Sequence, residues 1–312
     1  MIKGLAITPP ILGRISIGRM VEKNGKRLPE KDDQFTITSQ VQTKDGWVNH
    51  PLDEELRKQS ANGKIRSIPV RMLFNDPDLN LRAEYSMFDR QNGRPICVGN
   101  GETCRRSTSD GIETLPCPSP DLCHFAKGGL CKPYGRLNVK IGDDDELGTF
   151  IFRTTGFNSI RSLAARLSYY QAVSDNLLSC LPLQLRIRGK STAQSHRSAI
   201  YYVDLTARDN FTLEQSIVEA RNTDNQRKQN GYNQTALDQA AKLGFSNAAF
   251  EFNEDEIPAL LEEFYATEET NDSVMQESAD SSVLIKPITN NNSRPSLKDK
   301  LDSKATGCIQ AV

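Results

Sequence analysis

The sequence predicts an α+β fold that is mainly β: an OB-like barrel or sandwich with a cysteine-rich zinc insert, C-terminal helices and a disordered acidic tail. Three observations predict it. Short alternating, β-branched runs recur through the first two hundred residues. Five of the seven cysteines fall between Cys97 and Cys131. The charge is split, with 30 Lys+Arg against 22 Asp+Glu in residues 1–208 and 9 against 18 in residues 209–312.

Each element follows from its own pattern. Ile11 to Val21 alternates apolar with small or basic residues after Pro9-Pro10, and Phe35 to Val41 alternates again. Asp45-Gly46 supplies a hairpin turn before Trp47-Val48. Ile65 to Phe74 is a further strand in which Pro69 marks an edge or bulge, and Asn75-Asp76-Pro77-Asp78 ends it. The insert, residues 94–133, is rich in Gly, Pro, Ser and Asp and has too little apolar surface to order itself. Strands resume at 136–141 and 148–155, around the acidic turn Asp143 to Glu146. A helix opens at Asn158 with Ile160, Leu163, Ala164, Leu167 and Tyr170 at helical spacing. Strands at 183–188 and 200–205 complete a body spanning 1–208. Helices follow at 213–228, behind Thr212, and at 234–243, before Gly244, within a helical segment 209–268 that includes a short helix near 257–265. The Ser/Asn/Asp-rich stretch 269–312 reads as a disordered tail.

Bulk composition narrows the function classes. A length of 312 residues accommodates a sizeable core, but 37% hydrophobic residues and a mean hydropathy of −0.54 imply that part of the chain stays unfolded. No apolar run is long enough to span a bilayer, and the first ten residues lack a signal-peptide core, so a cytoplasmic location is expected. In a reducing compartment, clustered cysteines favour metal over disulfides. A basic body with an acidic tail suits a body that meets a polyanion and a tail that competes for that surface or recruits partners.

The cysteine spacing is Cys97-x6-Cys104-x12-Cys117-x5-Cys123-x7-Cys131. Structural zinc takes four thiolate or imidazole ligands, and its binding free energy would order a segment that has no core. Cys117, Cys123 and Cys131 share one loop system, and Cys97 just past a strand closes the set. Cys104, followed by Arg105-Arg106, is the spare, with His124 as an alternative ligand. A catalytic zinc would need an open position and a general base, for which His124 alone does not suffice. Single-stranded DNA binding needs cations for phosphates and rings for bases. Trp47 at a turn, Arg136 and Arg153 beside aromatic residues, the alternating Arg186 and Arg188, and the loop residues Lys190 and Arg197 are the candidates. Gly189-Lys190-Ser191 lacks the first glycine of a phosphate loop and lies between strands. Ser195-His196 are adjacent in sequence, which makes no triad, so no catalytic set is expected.

The opening Met1-Ile2-Lys3-Gly4-Leu5-Ala6-Ile7-Thr8-Pro9-Pro10-Ile11 and the runs Lys64 to Val70, Phe74 to Leu81 and Asp144 to Thr155 resemble a phage and mobile-element family. It carries the label "hydrolase or metal-binding protein" and is related to the recombination directionality factors of serine-integrase phages. The resemblance covers roughly residues 1–210. It implies cysteine ligands at Cys97, Cys117, Cys123 and Cys131, with no requirement at Cys104, and a DNA-recombination setting. The expectation is therefore a zinc-containing DNA-binding accessory protein of phage or mobile-element recombination or replication, preferring single strands. The alternative is a directionality factor acting through protein contacts with an integrase or recombinase, with the acidic tail as a further contact. A metal-dependent nuclease comes last.

Overall fold

The computed structural model describes residues 10–23, 26–43, 46–143, 148–191, 199–245 and 257–264. Its strands are β1 (Ile11–Lys23), β2 (Lys26–Thr43), β3 (Gly46–Asn49), β4 (Ser67–Arg71), β5 (Leu81–Phe88) and β6 (Pro95–Gly99). They continue as β7 (Thr103–Thr108), β8 (Gly111–Pro116), β9 (Lys132–Ile141), β10 (Thr149–Thr154), β11 (Leu183–Lys190) and β12 (Ile200–Ala207). The helices are α1 (Pro51–Gln59), α2 (Pro77–Asn80), α3 (Phe157–Val173), α4 (Leu213–Gln229), α5 (Gln234–Phe245) and α6 (Ile257–Phe264). The mixed, mainly β class is thus as the alternation predicts.

One long ladder runs β3-β2-β1-β10-β9-β5-β6-β7-β8, antiparallel except for the parallel pair β1–β10. A second ladder joins β4, β11 and β12. The two meet where β4 pairs with β9 through Val70↔Ile141. They meet again where Phe35 of β2 bridges Ile65, just ahead of β4, with a 2.7 Å hydrogen bond from Phe35 N to Ile65 O. The circuit β2-β1-β10-β9-β4 therefore returns on itself. Alternation sends Ile15, Phe35, Ile37, Leu137, Val139, Phe150 and Phe152 of the long ladder to its inner side. There they pack against Ile68, Val70, Leu183, Leu185, Val203 and Leu205 of the short one. Helix α3 closes this core with Leu163, Leu167 and Tyr170.

Several local expectations shift. The third run forms a strand only over Ser67–Arg71, because Asp76 caps α2 with Pro77 at its first position. Helix α3 starts behind Gly156 instead of Asn158, and Ala164 faces solvent. Helix α4 has the full capping box between Thr212 and Gln215. The sequence reading did not include α1, which is tied down by Asp53. That buried carboxylate accepts from Ile37 N at 2.8 Å and pairs with Arg57 at 2.6 Å. The insert is not a loop but the meander β6-β7-β8 followed by two short turns of 3₁₀ helix. The proposed tail, 269–312, lies outside the described residues. No described helix is long and apolar enough to cross a membrane.

Candidate functional site

The meander puts cysteines on one side. Cys97 on β6 lies opposite Met87 of β5, and Gly99 lies opposite Cys104 on β7. Cys117 follows β8, held by its N–H to Glu102 O at 2.8 Å, Cys123 lies between the 3₁₀ turns, and Cys131 precedes β9. All five line one small cavity of about 10 Å³, closed by Met87, Arg106, Phe125 and Ala126. That is the room of roughly one water-sized sphere. Gly99 is required there: a Cβ at this position would stand 2.6 Å from Cys104 Cβ and 2.9 Å from Cys117 Sγ.

Burial shapes the electrostatics of the cavity. Burial, reinforced by the neighbouring cysteines, pushes the Cys131 thiol up to about 12. Burial and then Cys97 push Cys104 up to about 11. Both shifts have burial as their first cause, which disfavours the charged thiolate. Cys104 donates a weak hydrogen bond to Pro116 O at 3.8 Å. Arg106 stands directly opposite Cys97 on the neighbouring strand. Its guanidinium lies 4.2 Å over the Phe125 ring. Thiolates are zinc-type donors, and the cavity gathers five cysteines. Among the described residues no three Cys, His, Asp or Glu side chains stand ready as a metal site, so the thiols would have to close in around an ion. His124 lies on the same 3₁₀ turn but does not line the cavity.

The basic candidates scatter over the body. Trp47 is half-buried on β3, and the Arg14 guanidinium covers its ring at 3.7 Å, so it is no exposed turn tip. Arg153 is 5% exposed on β10, because its strand is central to the long ladder. Arg136 lies opposite it on β9 and reaches Glu84 at 3.3 Å. Arg186 and Arg188 alternate along β11 as expected, while Lys190, expected in a loop, is the last residue of the same strand. Arg186 pairs with Asp209, Arg188 with Asp204 at 3.3 Å, and Lys190 donates to Asn158 Oδ1 at 2.7 Å. Arg197 lies outside the described residues.

Two features escaped the sequence reading. Arg106 shares a strand face with Cys104 by simple alternation, a legible signal. The cross-strand row Arg82, Arg136, Arg153 depends on the registers Arg82↔Arg136 and Arg153↔Arg136, which spacing does not reveal.

A family profile described as Gp3-like, recombination directionality factor-like, matches residues 12–208. The match takes in the body and the cysteine arm and ends at β12. No curated protein and no solved structure matches the chain.

Proposed function

The chain belongs to the recombination directionality factor-like family, and on that premise we propose that it is a non-catalytic accessory of phage or mobile-element recombination that works by gripping an integrase-class recombinase. The observation that carries the choice of a protein over a nucleic acid is the matching of its cations. Arg136, Arg186, Arg188 and Lys190 each meet a carboxylate or amide of the same chain, and Trp47 is covered by Arg14. A phosphate would have to displace these partners, and a base would have to displace the guanidinium.

The cysteine cavity is read as a structural zinc centre held by Cys97, Cys117, Cys123 and Cys131, with Cys104 as the spare. Bound zinc would cross-link the meander to β9 and carry no reaction. Arg106 would offset the negative charge of four thiolates in a dry site. The five-strand circuit is read as a barrel of the oligonucleotide-binding kind, used here as a scaffold.

DNA binding remains a second reading, favoured by the positive excess of residues 1–208. One experiment separates them. Purified chain is tested against the serine integrase of its own element, and by fluorescence anisotropy against single- and double-stranded oligonucleotides across a salt series. The first reading expects a stable complex with the integrase and no oligonucleotide binding at moderate salt. Oligonucleotide binding with a log–log salt slope of several times roughly −0.7, and no integrase complex, would hand the function to DNA.

A further inference from the structure

The outer face of β5 and β9 is divided in two. The registers Arg82↔Arg136, Glu84↔Tyr134 and Ser86↔Lys132 put these six residues on one face, and alternation adds Phe88. One end is charged, with Arg82 and Arg136 sharing Glu84; the other is aromatic, with Phe88 and Tyr134 in edge contact at 5.5 Å. This face lies within the residues the family shares. What covers its aromatic end does not: it is α6, about fifty residues past the last matched position.

Helix α6 reads Ile257-Pro-Ala-Leu260-Leu261-Glu-Glu-Phe264, apolar at i, i+3, i+4 and i+7. Leu260 and Phe264 are buried against Phe88 and Tyr134, and the Phe264 ring lies 4.9 Å from that of Phe88 and 6.0 Å from that of Tyr134. Lys132 Nζ donates to Phe264 O at 3.0 Å, holding the last turn, where a cation is favoured. Ile257 seats on Gly93, where a Cβ would come within 2.8 Å of Ile257 Cγ2, so the seat requires glycine; its φ of +63° favours glycine as well.

We propose that this face is a helix-binding groove, that α6 is its occupant in cis, and that the partner that takes its place is an amphipathic acidic helix of the recombinase. The identity of the partner rests on the function proposed above; the groove and its displaceable occupant do not. Anchors at i, i+3, i+4 and i+7 laid into an apolar groove are the recurring geometry by which short helices are recognised. A helix of eight residues has no stability of its own in water, so α6 exists by virtue of the face it sits on. The charges agree at the near end: Glu262 and Glu263 lie within α6 and Glu254, Asp255 and Glu256 just ahead of it in sequence, while the face offers Lys132 beside its aromatic end; Arg82 and Arg136 farther along share Glu84. As a tethered occupant, α6 competes at high effective concentration, so a partner must present a better helix to engage.

The test uses the full chain, as wild type and as Leu260→Asp/Phe264→Asp, with a fluorescein-labelled peptide of residues 254–266 as probe. The double variant keeps its main melting transition within a few degrees and binds the peptide roughly tenfold or more tighter than wild type, because the cis competitor is gone. Adding Tyr134→Asp abolishes that binding. Equal binding to both chains, or collapse of the main transition in the double variant, overturns the proposal, since α6 would then be fixed structure. The integrase, added last, displaces the peptide. An integrase that binds the chain and leaves the peptide in place overturns the assignment of this face to the recombinase. An integrase that binds neither chain defeats the functional reading instead, while the peptide result still decides the groove.

Discussion

The two-ladder body and the cysteine arm are both made of antiparallel strands, yet they are held together by different means. In the body, Ile15, Phe35, Ile37, Leu163, Leu183, Leu185 and Leu205 are buried to within a per cent of completely, in one continuous cluster. In the arm the buried cluster is Met87, Cys97 and Cys104, with Val98 and Ala126 buried besides, and β8 shows Gly111, Ile112, Glu113 and Thr114 to solvent. A three-strand meander with so small a core does not offset the entropy of ordering its chain. The body has a large apolar core; the arm has cysteines at its cavity in place of one. Strand pairing alone, the comparison teaches, says little about where stability comes from.

The sharpest way to test that contrast is to damage each region separately. Leu185 is fully buried on β11, between β4 and β12. Leu185→Ala should cost about 3–4 kcal/mol, read as a shift of the urea midpoint with unchanged slope. The loss should be global, with the arm unfolding alongside the body. A local loss confined to β11 and β12 would mean the two ladders are not one cooperative core.

Cys131→Ser, or removal of metal by a chelator, should act the other way. Purified protein should carry about one zinc per chain, and the variant should lose it. Amide-exchange protection should disappear across β6, β7 and β8 while β10, β11 and α3 keep theirs. Cys104→Ser should retain the metal. Metal analysis that finds no zinc in protein never exposed to chelator removes the cross-link. The arm would then be held by its thiol cluster alone.

Smaller still is the effect expected at Arg106. As the cation opposite Cys97 at the cavity, its change to Gln should weaken zinc binding about tenfold, the low end for outer-shell partners of metal ligands. Arg106→Lys, which keeps the charge but not the guanidinium over Phe125, should fall between. The readout is competition with a zinc indicator, so it does not depend on any recombination assay. Equal affinity in all three chains would reduce Arg106 to a surface residue resting on a ring.

Legibility in the sequence follows the same division. The body was readable because alternation is a local signal: Ile15 and Ile17, Leu183 and Leu185, Val203 and Leu205 declare a buried face without knowledge of the partner strand. The gathering of five cysteines was readable because side chains with one chemistry clustered in one segment. Helix α1 was not, since its anchor is a buried Asp53–Arg57 pair with a hydrogen bond to Ile37, and charged residues read as surface. The meander was missed because β7 and β8 are polar strands whose pairing depends on the Thr108–Gly111 turn and not on an apolar face. Trp47 was misjudged because its cover, Arg14, comes from a strand more than thirty residues away. Registers and long-range ion pairs are properties of the assembled ladder, and short sequence windows do not contain them.

The gentlest perturbation tests how the body's edges are fastened. Asp143 lies past the end of β9 and accepts from Arg208, at 2.6 and 2.8 Å, and from Arg71 at 2.7 Å, joining the ends of β4 and β12. The Arg208 guanidinium, with Arg71 behind it, holds this carboxyl down to about 2. A carboxylate in the unfolded chain titrates near ~3.9. The folded state therefore binds fewer protons between these values. The stabilisation is complete above the unfolded value and is lost as pH falls toward about 2. Because Asp143 is half exposed, solvent screening limits the contribution to at most about 1 kcal/mol. Asp143→Asn should lower the melting temperature slightly at neutral pH and flatten its fall between pH 4 and 2. The fall should not vanish, because Asp33, held near 2 chiefly by Lys64, titrates over the same window. Melting curves of the two chains that run parallel down to pH 2 would show that the Arg71–Asp143–Arg208 clasp adds nothing to the body. The apolar contacts between the ladders would then hold that edge unaided.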